Sequence, residues 1–160
     1  MVELATLYTK PYSEFKHIIN SLVVDPTRNL VNSPRRWIYR DLPDTTSLSF
    51  QGYPFIVLNH SDMNDDDIIL LNASMRENEL MFQVEVHAEF DDPHARCDAI
   101  SSNIIAAVLK KESLDAMQLV GCFSPRIVNS STQITQNARK SIVQRDIVFS
   151  YDVDVKLCVQ

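Results

Sequence analysis

Apolar and polar positions alternate most cleanly between Leu80 and Phe90. Leu80, Phe82, Val84, Val86, Ala88 and Phe90 share one parity, against Met81, Gln83, Glu85, His87 and Glu89. A period of two predicts a strand with one buried face, as on an antiparallel sheet. The period returns at the C-terminal end. There Val143, Ile147, Phe149, Tyr151, Val153, Val155, Leu157 and Val159 share a parity interrupted by Arg145, with Gln144, Asp146, Ser150, Asp152, Asp154 and Lys156 opposite. Two shorter apolar runs, Phe55–Leu58 and Ile68–Leu71, flank the acidic stretch Asp62–Asp67 and predict a hairpin or meander, followed by a turn at Arg76–Asn78.

A helical period appears in two places. Phe15, Ile18, Ile19 and Leu22 mark one helix face, with Pro11 suited to the first turn and Asp25-Pro26 to the stop. In the second, Asp92 caps and Pro93 opens a helix whose stripe is Cys97, Ile100, Ile104, Ile105 and Val108; Lys110 and Lys111 would oppose the dipole at its end. Between Pro26 and Tyr53 the prolines predict a long connection holding one short element, Trp37-Ile38-Tyr39.

Leu114–Val128 reads as a strand broken near Pro125. Residues 129–141 are polar, with Ile134 and Ala138 their aliphatic members, and are expected to form a projecting hairpin loop or a locally disordered segment. No internal repeat or long linker divides residues 1–160, so a single domain is expected. The predicted class is α+β: an antiparallel sheet of about four main strands, two helices packed on one face, and the projecting hairpin loop.

Composition then removes function classes. Two glycines, Gly52 and Gly121, cannot build a phosphate-cradling loop, a dinucleotide fingerprint or a nucleophile elbow. Lys plus Arg is 15 against 21 Asp plus Glu, a net charge of -6, where a static nucleic-acid binder usually carries a basic surplus. Arg28, Arg35, Arg36 and Arg40 cluster, but among Asp25, Asp41 and Asp44, which reads as a solvated loop with potential for partner contact. No run is long and apolar enough to span a membrane. The first residues, MVELATLYTKPYSEF, lack the apolar core of a secretory signal, and three widely spaced cysteines fit free thiols in a reducing compartment.

Candidate chemistry is thin. The acidic stretch starting at Asp62 fails the calcium-loop pattern, since Asp67 stands where glycine is needed and Ala73 where glutamate is needed. His60, Asp62, His87 and His94 have no spacing that would bring them together on a metal. Cys97 sits on an apolar stripe and Cys122 in an apolar run, settings of inert thiols. Arg145 and Asp146 read as a subunit or cross-strand pair rather than catalysts. The expectation is no enzyme, no cofactor and no metal.

The order of elements has a counterpart elsewhere. An N-terminal helix, a proline-rich stretch into YPFIVLNH, the strand LMFQVEVHAEF, the helix opened by DDPHARCDAI and the strand IVQRDIVFSYDVDVKLCV resemble the tail terminator proteins of long-tailed bacteriophages, those of T5-like siphophages in particular. The resemblance implies a structural virion protein. It would form a hexameric ring at the head-proximal end of the tail tube, stop tube polymerisation and present the surface that joins the head. The implied partners are other copies of the chain in the particle, the tail tube protein and a head-completion or connector protein, with DNA passing through without specific binding. Assembly would take place in the host cytoplasm; from the polar 129–141 segment, which would order only against a neighbour, the isolated protein is expected to be largely monomeric. Another head-tail connector or completion protein is the alternative, and a small cytoplasmic enzyme or ligand-binding domain a further one.

Two sets of residues follow as candidates. Asn129, Thr132, Ile134, Gln136 and Asn137 are assembly contacts, with Ile134 as anchor. Glu85, Glu89, Asp152 and Asp154, on a polar face with Gln83, His87 and Asp146, line the lumen and repel phosphate, or else form a solvated outer face.

Overall fold

A computed structural model describes residues 4–27, 35–61, 79–89, 92–137 and 140–154. The predicted strands 68–71 and 155–159, Phe90, the turn 76–78, the acidic stretch 62–67, Arg28, Ala138 and Cys158 lie outside the described residues. Among them the chain is α+β, with three helices and a five-stranded mixed sheet. Helix α1 spans Leu4–Leu22, β1 Ile38–Tyr39, β2 Phe55–Ser61 and β3 Glu79–Glu89. Then come α2 at Pro93–Val108, α3 at Lys111–Leu119, β4 at Cys122–Asn137 and β5 at Lys140–Val153. The strands lie in the order β1-β2-β3-β5-β4.

The two alternating strands form the centre of the sheet. β3 and β5 run antiparallel, with Phe82 opposite Phe149 and Val84 opposite Ile147. Leu80, Phe82, Val84, Val86 and Ala88 are buried, as are Val143, Ile147, Phe149, Tyr151 and Val153. Against this face pack Phe15, Ile18 and Ile19 of α1, Cys97, Ile100, Ile104 and Val108 of α2, and Met117 of α3. Phe15 stacks on Phe82 at 4.5 Å between ring centroids. The Asp92 carboxylate accepts from the Ala95 N–H at 3.1 Å, and Pro93 opens α2. At the far end of α1 Asp25 accepts from the Thr27 N–H, an Asx turn that ends the helical path.

Several expectations are corrected. α1 begins at Leu4 and runs through Pro11, whose ring is buried; a proline costs a helix one hydrogen bond, and packing of the ring offsets it. In α2, Ser101 and Ala107 take buried positions while Ile105 is only partly buried. Lys110 and Lys111 do not close α2: the chain turns at Leu109 and starts α3, where Lys111 pairs with Asp115 at 2.6 Å. The front of the predicted strand 114–128 is therefore helix, with Ser113 and Met117 buried one turn apart, and strand begins only after Gly121, at φ 83. The break near Pro125 is a register shift between Phe123 and Arg126, with Ser124 at φ 52.

The sheet has five strands because Ile38 and Tyr39 pair with Ile56 and Val57. That pairing is parallel, so residues 40–54 carry the chain back along the sheet before β2 begins. Residues 129–137 are not a loop. They continue β4 against β5, Asn129 opposite Val148 through to Asn137 opposite Lys140. The polar composition hid a ladder supplied by the neighbouring strand.

Candidate functional site: the open sheet face and the outer strand

Cross-strand partners share a face, so the register sorts the polar residues. Opposite the helices lie Asn59, Gln83, Glu85 and His87, then Gln144, Asp146, Ser150 and Asp152, then Ser131 and Gln133. A second aromatic cluster, Tyr39, Phe50, Tyr53 and Phe55, covers the β1–β2 side of this face. His87 stacks flat on Phe55 at 4.5 Å and is 6% exposed.

Glu85 stands directly opposite Asp146. Like charges so placed repel, and each carboxylate is held by polar side chains beside it. Asn59 and Gln83 donate amide N–H to Glu85 Oε1 at 3.4 and 3.3 Å, and His87 Nε2 lies 3.2 Å from Oε2. Gln144 donates to Asp146 Oδ1 at 2.8 Å; Ser131 and Gln133 donate to Oδ2 at 3.4 and 3.3 Å. Farther along, Arg126 reaches both Glu79 and Asp152 at 2.7 Å. Glu79, Glu85, Asp146 and Asp152 thus share the face with one guanidinium among the described side chains, which leaves it anionic.

The predicted lumen set divides. Glu85 and Asp152 lie on this face. Glu89 has the same parity but is 6% exposed, in the wall of a cleft of about 570 Å³ lined also by Phe50, Gly52, Tyr53, Arg96 and Ile142. Burial and the Glu89 charge both push the Tyr53 phenol up. Asp154 lies just past β5 and gives its N–H to the Gly121 carbonyl at 2.7 Å. Asp146, placed on this face by its parity, is buried, and what the sequence did not reveal is its collar of donors, Ser131, Gln133 and Gln144.

Arg145 and Asp146 are not a pair. Successive residues point to opposite faces, and Arg145 reaches Asp98 on α2 at 2.6 Å. The arginine cluster also differs from a solvated loop. Arg35, half-buried, pairs with Asp25 at 2.7 Å and donates to the carbonyls of Gln51, Gly52 and Pro54. Arg36 lies over the Tyr39 ring, and Arg40 over Tyr12.

The assembly candidates are strand residues, and they split between faces. Asn129 falls on the open face by register, whereas Thr132, Ile134 and Gln136 fall on the helix side, opposite Arg145, Val143 and Ser141. All four are exposed, Ile134 at 52%. Asn137 ends β4. What these five positions share is one strand's main chain.

Cys97 is fully buried; burial pushes its thiol up to about 11, and the thiol hydrogen-bonds the Val143 carbonyl at 3.3 Å. Cys122 is buried as well. His94 is exposed in the first turn of α2, whereas His87 lies on the open face of the sheet. Among the described residues no group of three His, Cys, Asp or Glu is placed to hold a metal, and no helix is long and apolar enough to cross a membrane. No protein-family model matches the chain, and no curated protein is similar enough to count as a relative.

Proposed function

We propose that this chain is a structural virion protein of a long-tailed phage. It forms a ring at the head-proximal end of the tail tube, stops tube growth and presents the head-joining surface. The supporting observation is the open sheet face. Its Glu85 and Asp146 carboxylates take hydrogen bonds from the amides of Asn59, Gln83, Gln133 and Gln144, and among the described side chains one guanidinium, that of Arg126, stands against the four carboxylates of the face, so the face keeps a negative charge. Lining a passage, such a face repels DNA phosphates and offers few of the cationic contacts whose counterion release makes DNA binding tight. The ring is a homo-oligomer, expected to be hexameric, and its other partners are the tube protein and a head-completion protein.

Omitting this chain from an otherwise complete assembly tests the reading. The expected product is tubes of uncontrolled length that fail to join heads. Tubes of normal length that still lack heads would point instead to a connector acting after termination. Particles of normal form would overturn a virion role.

A further inference from the structure

Residues 41–53 cover the β1–β2 side of the open face without entering the main core, and none of them is buried. Phe50 and Tyr53 pack on Phe55, at 5.5 and 5.1 Å between ring centroids, in the small cluster that also holds Tyr39 and Val57. The segment has its own internal order. Asp44 accepts from the Thr46 N–H at 2.9 Å through its carboxylate and from the Ser47 N–H at 3.1 Å through its carbonyl, and the Phe50 N–H donates to the Ser47 carbonyl at 3.0 Å. Its hydrogen bonds to the rest of the fold, among the described residues, converge on one corner. Arg35 donates to the carbonyls of Gln51 at 3.2 Å and Gly52 at 2.7 Å, and the Arg36 N–H donates to the Gln51 side chain. Asp25 aims the guanidinium from behind, accepting from Nε at 2.7 Å and from Nη2 at 3.1 Å, a two-pronged, charge-assisted grip. Thr45, Phe50, Gly52 and Tyr53 also form one wall of the cleft that holds Glu89.

We infer that residues 41–53 form a strap that opens as one unit while the sheet stays folded, with Arg35 as its latch. Segments with few buried contacts open at a lower free energy than the core, and they open as contiguous units. Here internal turns keep the strap together, two aromatic rings seat it, and one guanidinium ties it down. Opening lifts Phe50 and Tyr53 off Phe55 and uncovers Val57, which is fully buried opposite Glu85. It also removes one wall of the cleft around Glu89, which is 6% exposed while the strap is closed. The open face then gains a carboxylate in addition to Glu85 and Asp146. The strap thus sets how much negative charge the face presents.

Thiol labelling of the full chain reads the opening. Val57→Cys puts a thiol under the strap, and Cys97, fully buried in the main core, reports opening of the whole fold. With a maleimide as reagent and the labelled sites read by peptide mass spectrometry, the thiol at position 57 is expected to react at least tenfold faster than Cys97. Its rate is expected to hold steady through low urea, while that of Cys97 climbs with the surface exposed on global unfolding. Adding Arg35→Met is expected to speed reaction at position 57 at least fivefold. Hydrogen exchange of residues 41–53 in the chain without the new thiol gives a second reading, with the same urea independence and the same acceleration by Arg35→Met. A thiol at position 57 that reacts at the Cys97 rate with the same rise in urea overturns the inference, because the strap then opens only with the whole fold. Labelling and exchange that Arg35→Met leaves unchanged overturn it as well, because Arg35 is then no latch.

Discussion

Glu85 on β3 faces Asp146 on β5 across the centre of the open sheet face, and the two are held differently. Both amide donors to Glu85 end on Oε1, while Oε2 meets the His87 ring. Asp146 receives donors on both of its oxygens. A glutamine at position 85 keeps its carbonyl toward Asn59 and Gln83 and turns its N–H toward His87, whose Nε2 accepts once the ring proton sits on Nδ1, removing one charge without breaking the collar. Glu85→Gln is therefore expected to stabilise the fold by roughly 0.2–1 kcal/mol, the scale of a cross-strand pair. Asp146→Asn sets an N–H against a donor and is expected to give no gain. Urea midpoints at unchanged m-value report both. Equal stabilisation by the two variants would contradict the donor assignment.

The same face predicts a transport effect. Glu85→Lys puts a cation where the passage is held to be anionic. DNA ejection from fully assembled particles is expected to slow. Ejection at the native rate would place the face on the outside of the ring. Glu89 is unsuited to this test, since it is buried and a lysine there would disturb packing.

Ile104 is fully buried beneath the sheet in the core shared with Phe82, Val84 and Val86. Ile104→Ala is expected to cost about 2–5 kcal/mol, the range for a truncated core aliphatic. A denaturation midpoint equal to that of the native chain would contradict the packing of α2 on the sheet.

Asp25 and Arg35 give the fold an acid-sensitive clasp. Burial pushes the Asp25 carboxyl up, but its bonds to Arg35 and Thr27 outweigh this and hold it below the usual carboxylate range. A depressed folded pKa adds stability above the unfolded value of about 4, and that stability is lost as pH falls through the folded value. Arg35→Met is expected to flatten this part of the stability-against-pH curve. It is also expected to cost about 1–3 kcal/mol at neutral pH, because it leaves the partly buried Asp25 carboxylate without its strongest hydrogen-bond partner. Parallel acid limbs in the two proteins would contradict the clasp.

What could be read from the chain depended on whether a residue's neighbours in sequence were also its neighbours in energy. Period-two burial in Leu80–Ala88 and in Val143–Val153, and the Asp92-Pro93 cap, are local signals, and the fold keeps them. Met117 looked like strand because an apolar run this short fits either period; Gly121 marks where the helix ends. NSSTQITQN looked like loop because its own side chains bury little, while its order comes from main-chain bonds to β5, which composition does not register. β1 reads as a short element, but its parallel pairing depends on how residues 40–54 return the chain to the start of β2, which no local pattern records. In the site, parity placed Glu85 and Asp152 correctly. Glu89 has the same parity, and the loop that carries Phe50 and Tyr53 folds over it.

Electron microscopy of tails purified from particles in which this chain carries a bound label decides whether it terminates the tube. The label is expected at the head-proximal end of the tube, at ring stoichiometry. A label spread along the tube, confined to the distal tip, or absent from the particle would contradict it.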